Sequence, residues 1–193
     1  MDIRYDLKIN SRRTEPLQTD KPISFGIMET DHMFTMKYDF GEWHSAKITQ
    51  IENYSIHPKA NVLHYAQEIF EGAKAFEHPD GELYTFRIDQ NIKRFNQSAE
   101  IMCMPKVPEE MQLEAITSLL DVERLWFPKQ KEASLYIRPF MFGTTSSLGV
   151  KESESYIYSV IISPSGPYYP EGFNPIRLLL TSKFKRVPTG GVG

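Results

Sequence analysis

Apolar and polar residues alternate in several segments of the chain, and this two-residue period is typical of strands with one buried face. In MFTMKYDF, every second position from Phe34 to Phe40 is apolar, so we predict a strand there. Two further strands are predicted for SLYIRPFMFG and SYIYSVIIS, which a polar loop separates. AKAFEH and ELYTFR are joined by the turn sequence PDG at positions 79–81, and together they predict a hairpin.

Other segments have the spacing of helices. NVLHYAQEIFEG predicts a short helix with Asn61 as its N-cap, Ile69 and Phe70 on its apolar face, and Gly72 at its end. A second helix is predicted from Asp89. A third is predicted from near Pro108, through Leu113, toward Trp126. Strand pairs with helices inserted among them, without strand–helix–strand alternation, indicate the α+β class.

Composition narrows the function classes. The chain has 193 residues, 40% of them hydrophobic and 12% aromatic, which is ample for a packed core. Its formal charge of -3, without a basic stretch interleaved with aromatics, favours no nucleic-acid partner. We also expect no membrane segment and a cytoplasmic location, because no apolar run approaches a membrane span. Cys103 is the sole cysteine, and no histidine pair has metal-ligand spacing, so we predict no metal site.

Spacing alone does not assign the candidate polar residues. Tyr136 and Arg138 are two apart on a predicted strand and share one face, which favours a surface cross-strand pair over a binding role. Arg94 lies beside the apolar stripe of its helix and has the pattern of a solvated arginine. The closing KRVPTGGVG contains a glycine cluster that can turn tightly or cradle a phosphate, which by itself is a weak signal.

Four longer blocks carry a resemblance to a known family. They are LHYAQEIFEGAKAF, NIKRFNQSAEIMCMP, ASLYIRPFMFGTTSSLGV and SGPYYPEGFNP, and FGIMETDHM near the start also fits. In this order and spacing they resemble the branched-chain amino-acid aminotransferases, which are fold-type IV enzymes that use pyridoxal 5′-phosphate. Residues 1–24 are polar and irregular, and we expect them to form an arm. The resemblance implies a small α+β domain over 25–164 and an interdomain loop over 165–176. Residues 177–193 would begin the larger cofactor-binding domain, and we predict PIRLLLTSKF as its first strand.

The resemblance also implies roles for individual residues. Arg94 matches the arginine that binds the cofactor phosphate, for which a planar guanidinium is well suited. Tyr136 and Arg138 match pocket residues, the arginine orienting carboxylate groups. The remaining matches are apolar or aromatic: Phe25, Phe70 and Tyr168 would wall the side-chain pocket, and Tyr65, Leu148 and Val150 would reach into the neighbouring subunit's site. A homodimer is therefore expected.

The implied reaction is transfer of the amino group of leucine, isoleucine or valine to 2-oxoglutarate, forming glutamate. In the family, the Schiff-base lysine follows a segment like RVPTGGVG and is expected just beyond Gly193. The chain as given is thus predicted to contain no catalytic lysine and to show no turnover alone. Lys183 and Lys185 lie before the glycines in a polar stretch, and we expect them to be solvated.

Two alternatives remain open at this stage. The first is another fold-type IV member, a D-amino-acid aminotransferase or an aminodeoxychorismate lyase, although LHYAQEIFEG and SLYIRP match the branched-chain enzymes more closely. The second is a non-catalytic assembly module that carries half a pocket and a dimer surface. A genuine end would more plausibly close a domain than stop inside a glycine turn, which speaks against this second alternative.

Overall fold

A computed structural model describes residues 1–7, 13, 15–19, 21–169, 174–187 and 189–191. Within them lie eight strands, three helices and a 3-10 turn at Arg124–Trp126. The strands are β1 (Arg4–Asp6), β2 (His32–Asp39), β3 (Glu42–Gln50), β4 (Glu68–Phe70), β5 (Ala73–Glu77), β6 (Leu83–Thr85), β7 (Ser134–Gly143) and β8 (Tyr156–Ser165). The helices are α1 (Asn61–Tyr65), α2 (Ile88–Ile101) and α3 (Glu109–Val122).

All eight strands form one mixed sheet in the order β1-β3-β2-β8-β7-β5-β6, and β4 also pairs with β7. The long antiparallel pair β7–β8 runs from Ser134 opposite Ser165 to Gly143 opposite Tyr156. Among the described strands, only β1 pairs in parallel, with β3. The hairpin β5–β6 and the strands β2, β7 and β8 confirm the predictions from alternation, and the mixed helix and strand content confirms the α+β class.

The strands β4 and β5 follow one edge of β7 in succession and are interrupted at Glu71–Gly72. The Glu71 N–H donates to the Pro139 carbonyl at 2.9 Å. Pro139 has no N–H to return, since proline lacks that donor. The Asn91 side chain in α2 donates to the next carbonyl, that of Gly72, at 3.2 Å. The proline thus removes one hydrogen bond between the two strands where the pairing breaks, and Asn91 connects α2 to the same point.

The helices α2 and α3 pack together against one face of the sheet, where they contact β2, β4 and β8. Phe95 and Ala99 of α2 and Leu119 of α3 are at most 1% exposed and meet the sheet residues Leu135 and Tyr158 in one apolar core. Because successive strand residues point to opposite faces, the residues between these core positions project from the other, helix-free face. That second face carries the candidate site.

The predicted helix over NVLHYAQEIFEG is too long. α1 ends at Tyr65, Ala66 adopts a left-handed φ of 48°, and Glu68–Phe70 is a strand that pairs with β7. Asn61 is the first helical residue and Ala60 the N-cap. Pairing with β7 outweighs the helical spacing, so Ile69 is buried while Phe70 is 61% exposed. Gly72 accordingly ends no helix.

Two smaller predictions also differ from the structure. Phe40 is 99% exposed because it lies in the turn between β2 and β3 with a φ of 51°, outside the alternating strand. The segment PIRLLLTSKF forms no strand over the described residues 174–187, because no described strand pairs with it, and Leu179 is 92% exposed.

The arm before Phe25 is more ordered than its polar composition indicates. It contributes β1, and its residues Leu17 and Ile23 are buried. The Leu17 N–H donates to the Leu125 carbonyl at 2.8 Å, which ties the arm to the turn after α3. The domain boundaries predicted above stay predictions, and residues 170–173 of the predicted interdomain loop lie outside the described residues. In the part of the chain described, no helix has the length and apolar character needed to cross a membrane.

Candidate active site

A cavity of about 410 Å³ opens on the helix-free face of the sheet. Its walls come from the loop around Phe25, Ile51 after β3, the middle of β7 and the end of β8. The lining is mostly apolar, with Arg138 as its cation and Glu29 as its carboxylate, and it also includes Phe25, Met28, Tyr136, Ile161 and Ile162. The structure therefore brings together three of the residues that the family resemblance selects, Phe25, Tyr136 and Arg138.

The loop that carries Phe25 is held against β8 by two hydrogen bonds. Ser163 donates to the Met28 carbonyl at 2.6 Å, and the Gly166 N–H donates to the Ile23 carbonyl at 3.3 Å. The Phe25 ring lies edge-on to the Tyr136 ring with centroids 4.7 Å apart. Phe25 is thus a fixed wall of the cavity even though half of its surface is exposed.

Arg138 is the cation of this cavity. Its guanidinium donates to the Tyr136 hydroxyl through Nη2 at 2.9 Å and through Nε at 3.2 Å. It also lies over the Phe70 ring, 4.5 Å from the centroid. Among the residues that the structure describes, no carboxylate lies within ion-pair distance of Arg138. Aromatic rings and a phenol therefore orient its charge, and Glu29, which lines the same cavity, forms no ion pair with it.

Arg94 lies outside the cavity lining and is connected to it through Glu71 and Gly72. Its Nη2 donates to Glu71 Oε2 at 2.8 Å, and its Nε donates to Oε1. Burial alone would raise the pKa of Glu71, but hydrogen bonds from Arg94, Asn91 and the Gly72 N–H outweigh it, so that pKa is lowered. The hydrogen bonds to Glu71 and its negative charge raise the pKa of Arg94. The ion pair is thus charged throughout the neutral range.

Gly72 connects this ion pair to the cavity. A Cβ atom at position 72 would lie 2.3 Å from the Tyr136 hydroxyl, so the phenol reaches its position only because residue 72 has no side chain. The order in space is therefore Arg94, Glu71, Gly72, Tyr136 and Arg138.

The other residues that the resemblance selects lie apart from the cavity. The Tyr65 hydroxyl donates to the Leu148 carbonyl, which fastens the loop after β7 to α1. Leu148 and Val150 are 60% and 88% exposed. Tyr168 is 73% exposed and packs edge-on against Tyr169. Tyr65, Leu148 and Val150 thus form an exposed patch, and Tyr168 does not line the cavity.

A second, larger cavity of about 740 Å³ lies farther along the same sheet face, and Thr35, Lys37 and Lys47 are among its lining residues. Lys47 is 3.6 Å from Glu52, so one of its two lysines is already paired. None of the residues selected by the resemblance lines this cavity. Its size alone therefore does not identify a site.

Asp31, His32 and Glu123 place three potential metal-ligand atoms within 4.8 Å of one another. The contacts indicate a structural network instead. His32 is bonded directly to Glu123 through Nδ1, while Asp31 accepts from the Trp126 indole at 2.9 Å. His32 and Glu123 are 0% and 1% exposed, so this pair lies in the protein core.

Sequence reasoning missed Glu71, Gly72 and Asn91. Two signals could have indicated them. Glu71 is a charged residue between the apolar Phe70 and Gly72, directly before an alternating strand. A charged residue in such a segment is expected to have a partner of opposite charge. Asn91 and Arg94 are three apart in a helix and so lie on the same helix face.

No protein-family model matches the chain. Branched-chain-amino-acid transaminase 1 of Bacillus subtilis is 43% identical over 192 residues, which cover 96% of this chain and 54% of that protein. The branched-chain-amino-acid aminotransferase of Dictyostelium discoideum is 44% identical over 177 residues, covering 91% of this chain and 47% of that protein. The chain spans about half the length of the curated relatives it matches.

Solved structures agree in fold. A branched-chain aminotransferase from Thermoproteus uzoniensis, solved with norvaline, gives a TM-score of 0.54 at 20% identity, covering 72% of this chain and 43% of that one. A T.th. branched-chain amino acid aminotransferase, complexed with N-(5′-phosphopyridoxyl)-L-glutamate, gives 0.54 at 22%, covering 74% and 42%. The chain is a homologue of the branched-chain aminotransferases and matches about half of the length of each of these relatives.

The residues described here fit the cofactor of that family. Arg94 is anchored along one edge by Glu71, its side chain is 60% exposed, and Nη1 has no hydrogen-bond partner among the described residues. An exposed guanidinium with a free edge is suited to a phosphate dianion. The cavity beside it adds apolar walls and the Arg138 cation.

Proposed function

We propose that the protein is a branched-chain-amino-acid transaminase and that this chain supplies the substrate side-chain pocket and one phosphate-binding arginine. The observation that carries the site is Arg138, a cation without an acidic partner among the described residues, held by Tyr136 at an apolar cavity. Relatives at 43–44% identity support the reaction. Pyridoxal phosphate, when bound, supplies an electron sink for the charge that develops at the substrate Cα.

The chain's own residues then have separate tasks. Arg94 holds the cofactor phosphate through its free edge. Arg138 orients a carboxylate group of the amino-acid or oxo-acid substrate, and the aromatic rings around it exclude water from that contact. Phe25 and Phe70 offer apolar surface to a branched side chain, and each well-buried methylene contributes about 1 kcal/mol. Tyr168 joins this wall in our proposal if the loop that carries it closes over the cavity.

The proposal predicts a substrate preference. Protein expressed from its complete reading frame and loaded with pyridoxal phosphate should transfer the amino group of leucine, isoleucine or valine to 2-oxoglutarate. Its kcat/KM for these amino acids should exceed that for alanine by at least about tenfold, since alanine leaves the apolar wall unfilled. Glutamate formation measured by a coupled assay checks this result.

D-Alanine and aminodeoxychorismate are the comparison substrates. Turnover of either one, with none of leucine, would replace the proposal with the corresponding fold-type IV alternative. A complete protein that turns over no amino acid would favour the assembly module.

We further propose a homodimer in which the exposed patch of Tyr65, Leu148 and Val150 faces the partner's site. The patch is apolar and held in one shape by the Tyr65–Leu148 hydrogen bond and by the Ser147 N–H, which donates to the Lys59 carbonyl at 3.1 Å. A cytoplasmic location remains a prediction from the sequence.

Replacing Val150 with Gln should weaken self-association about tenfold, because it removes the apolar area of a side chain that is 88% exposed in the single chain. Sedimentation velocity over a concentration series measures the effect. Leu113→Gln is the matched control, since Leu113 is exposed on α3 and should leave association unchanged. Equal effects of both substitutions would argue against the patch, as would a monomeric wild type.

A further inference from the structure

Glu71 is a buried charged residue next to the candidate site, and the donors that contact its carboxylate all belong to the protein. Its side chain is 9% exposed, whereas that of Arg94 is 60% exposed. Besides the two N–H groups of Arg94, it accepts from Asn91 Nδ2 at 3.1 Å and from the Gly72 N–H at 3.0 Å. A carboxylate with four donors has little capacity left for solvent or a ligand.

The elements that carry this carboxylate fix its position. The backbone N–H of Glu71 is bonded to Pro139 in the central strand β7, at the break between β4 and β5. Asn91 and Arg94 approach from α2, one helical turn apart. The carboxylate therefore connects the sheet to the helix and holds Nε and Nη2 of Arg94 in a two-point contact, which leaves Nη1 on the exposed side.

We propose that Glu71 is a positioning residue that holds the Arg94 guanidinium in the orientation in which it binds a phosphate group. This inference rests on the phosphate-binding role proposed for Arg94. An arginine side chain has several rotatable bonds, and a free one must lose that freedom when it binds. A two-point contact on one edge removes most of this freedom in advance and leaves the opposite edge for a second anion.

The opposite expectation is that Glu71 competes with phosphate, because both are anions. The two effects predict opposite changes in phosphate affinity for the same substitution. If positioning dominates, Glu71→Gln weakens phosphate binding, since an amide cannot accept both N–H groups of the guanidinium. If repulsion dominates, the same substitution strengthens binding. The burial of Glu71 and its four donors favour positioning.

The test uses protein expressed from its complete reading frame and 4-deoxypyridoxine 5′-phosphate, which lacks the aldehyde and cannot react with lysines. Its unphosphorylated form is the comparison ligand. We expect Glu71→Gln to weaken binding of the phosphorylated probe about tenfold and to leave the unphosphorylated one unchanged. Titration calorimetry gives the affinities. Glu68→Gln removes the same charge from an exposed position in the preceding strand β4 and should change binding less than about twofold.

A spectroscopic signature separates positioning from general stability. The Arg94 Nε–H should exchange slowly with solvent in 15N NMR spectra of the wild type and of Glu68→Gln, and rapidly in Glu71→Gln. Circular dichroism checks that each variant is folded. If Glu71→Gln does not fold, Asn91→Ala takes its place, because it removes one donor from Glu71 and should weaken phosphate binding about threefold.

The outcomes distinguish this inference from the function on which it rests. Phosphate binding in Glu71→Gln that equals or exceeds the wild type, while Arg94→Ala loses it, would overturn the positioning role alone. Arg94→Ala that binds the phosphorylated probe as well as the wild type would overturn the role of Arg94 itself. The same conclusion would follow if the wild type did not distinguish the phosphorylated from the unphosphorylated probe.

Discussion

Replacing Glu123 with Ala should lower the free energy of unfolding by about 3–5 kcal/mol, because it leaves a buried histidine without its partner. Glu123 accepts from His32 Nδ1 and from the Asp31 N–H at 3.1 Å. His32 Nε2 is already a buried nitrogen without a partner in the described structure, so the variant would leave both ring nitrogens unpaired. Urea unfolding followed by circular dichroism measures the loss.

Two controls define the cause of this loss. Glu154→Ala removes the exposed partner of Lys151, with Glu154 73% exposed, and should cost at most about 1 kcal/mol. The double variant His32→Leu with Glu123→Leu removes the pair together and should recover most of the stability, since apolar residues can replace a buried pair. A double variant as unstable as Glu123→Ala would show that packing, and not the unpaired polar group, causes the loss.

The same carboxyl gives the effect a pH dependence. Burial raises the pKa of Glu123, and hydrogen bonds from His32 and Asp31 offset this only in part. A carboxyl with a raised folded pKa contributes its full stability below the unfolded value, and that contribution declines as the pH rises through the folded value. The difference between wild type and Glu123→Ala should therefore be largest at acidic pH.

The alternation of apolar and polar residues predicted most strands of the sheet, because strands with one buried face keep a two-residue period. It failed where a tertiary partner decides the structure. Residues 68–70 have helical spacing, and they become a strand because β7 offers an edge to pair with. The strand β3 was missed, since only Ala46, Ile48 and Thr49 within it are buried. Local pattern cannot report such long-range pairing.

Part of the candidate site could also be predicted, but from the family resemblance and not from the alternation of apolar and polar residues. Phe25, Tyr136 and Arg138 were selected by family resemblance, and the structure places all three on one cavity. Spacing could show that Tyr136 and Arg138 share a face, but not that Phe25, more than one hundred residues earlier, packs on them. Glu71 was missed because its role depends on a contact with Arg94 across 23 residues of sequence.

Replacing Gly72 with Ala should disturb the cavity through one defined contact. The added Cβ would lie 2.3 Å from the Tyr136 hydroxyl and 3.1 Å from the ring carbon that bears it. Because Phe25 and Arg138 already hold the phenol, it cannot yield freely, and overpacking of this kind costs about 1–3 kcal/mol. Thermal unfolding measures the cost. Gly149→Ala is the control, since its Cβ would meet its first neighbour at an ordinary 3.5 Å.

A second substitution tests whether Tyr136 is the cause. Tyr136→Phe removes the oxygen that the added methyl group at position 72 would strike, so in its background the Gly72→Ala cost should fall by at least about 1 kcal/mol. The Arg138 guanidinium loses its phenol acceptor in that background, and this loss is measured separately in Tyr136→Phe alone. Additive effects would mean that residue 72 and the phenol act independently. A coupling of the expected sign would show that a missing side chain in one strand sets the position of the phenol and, through it, of the cation that we propose binds the substrate carboxylate.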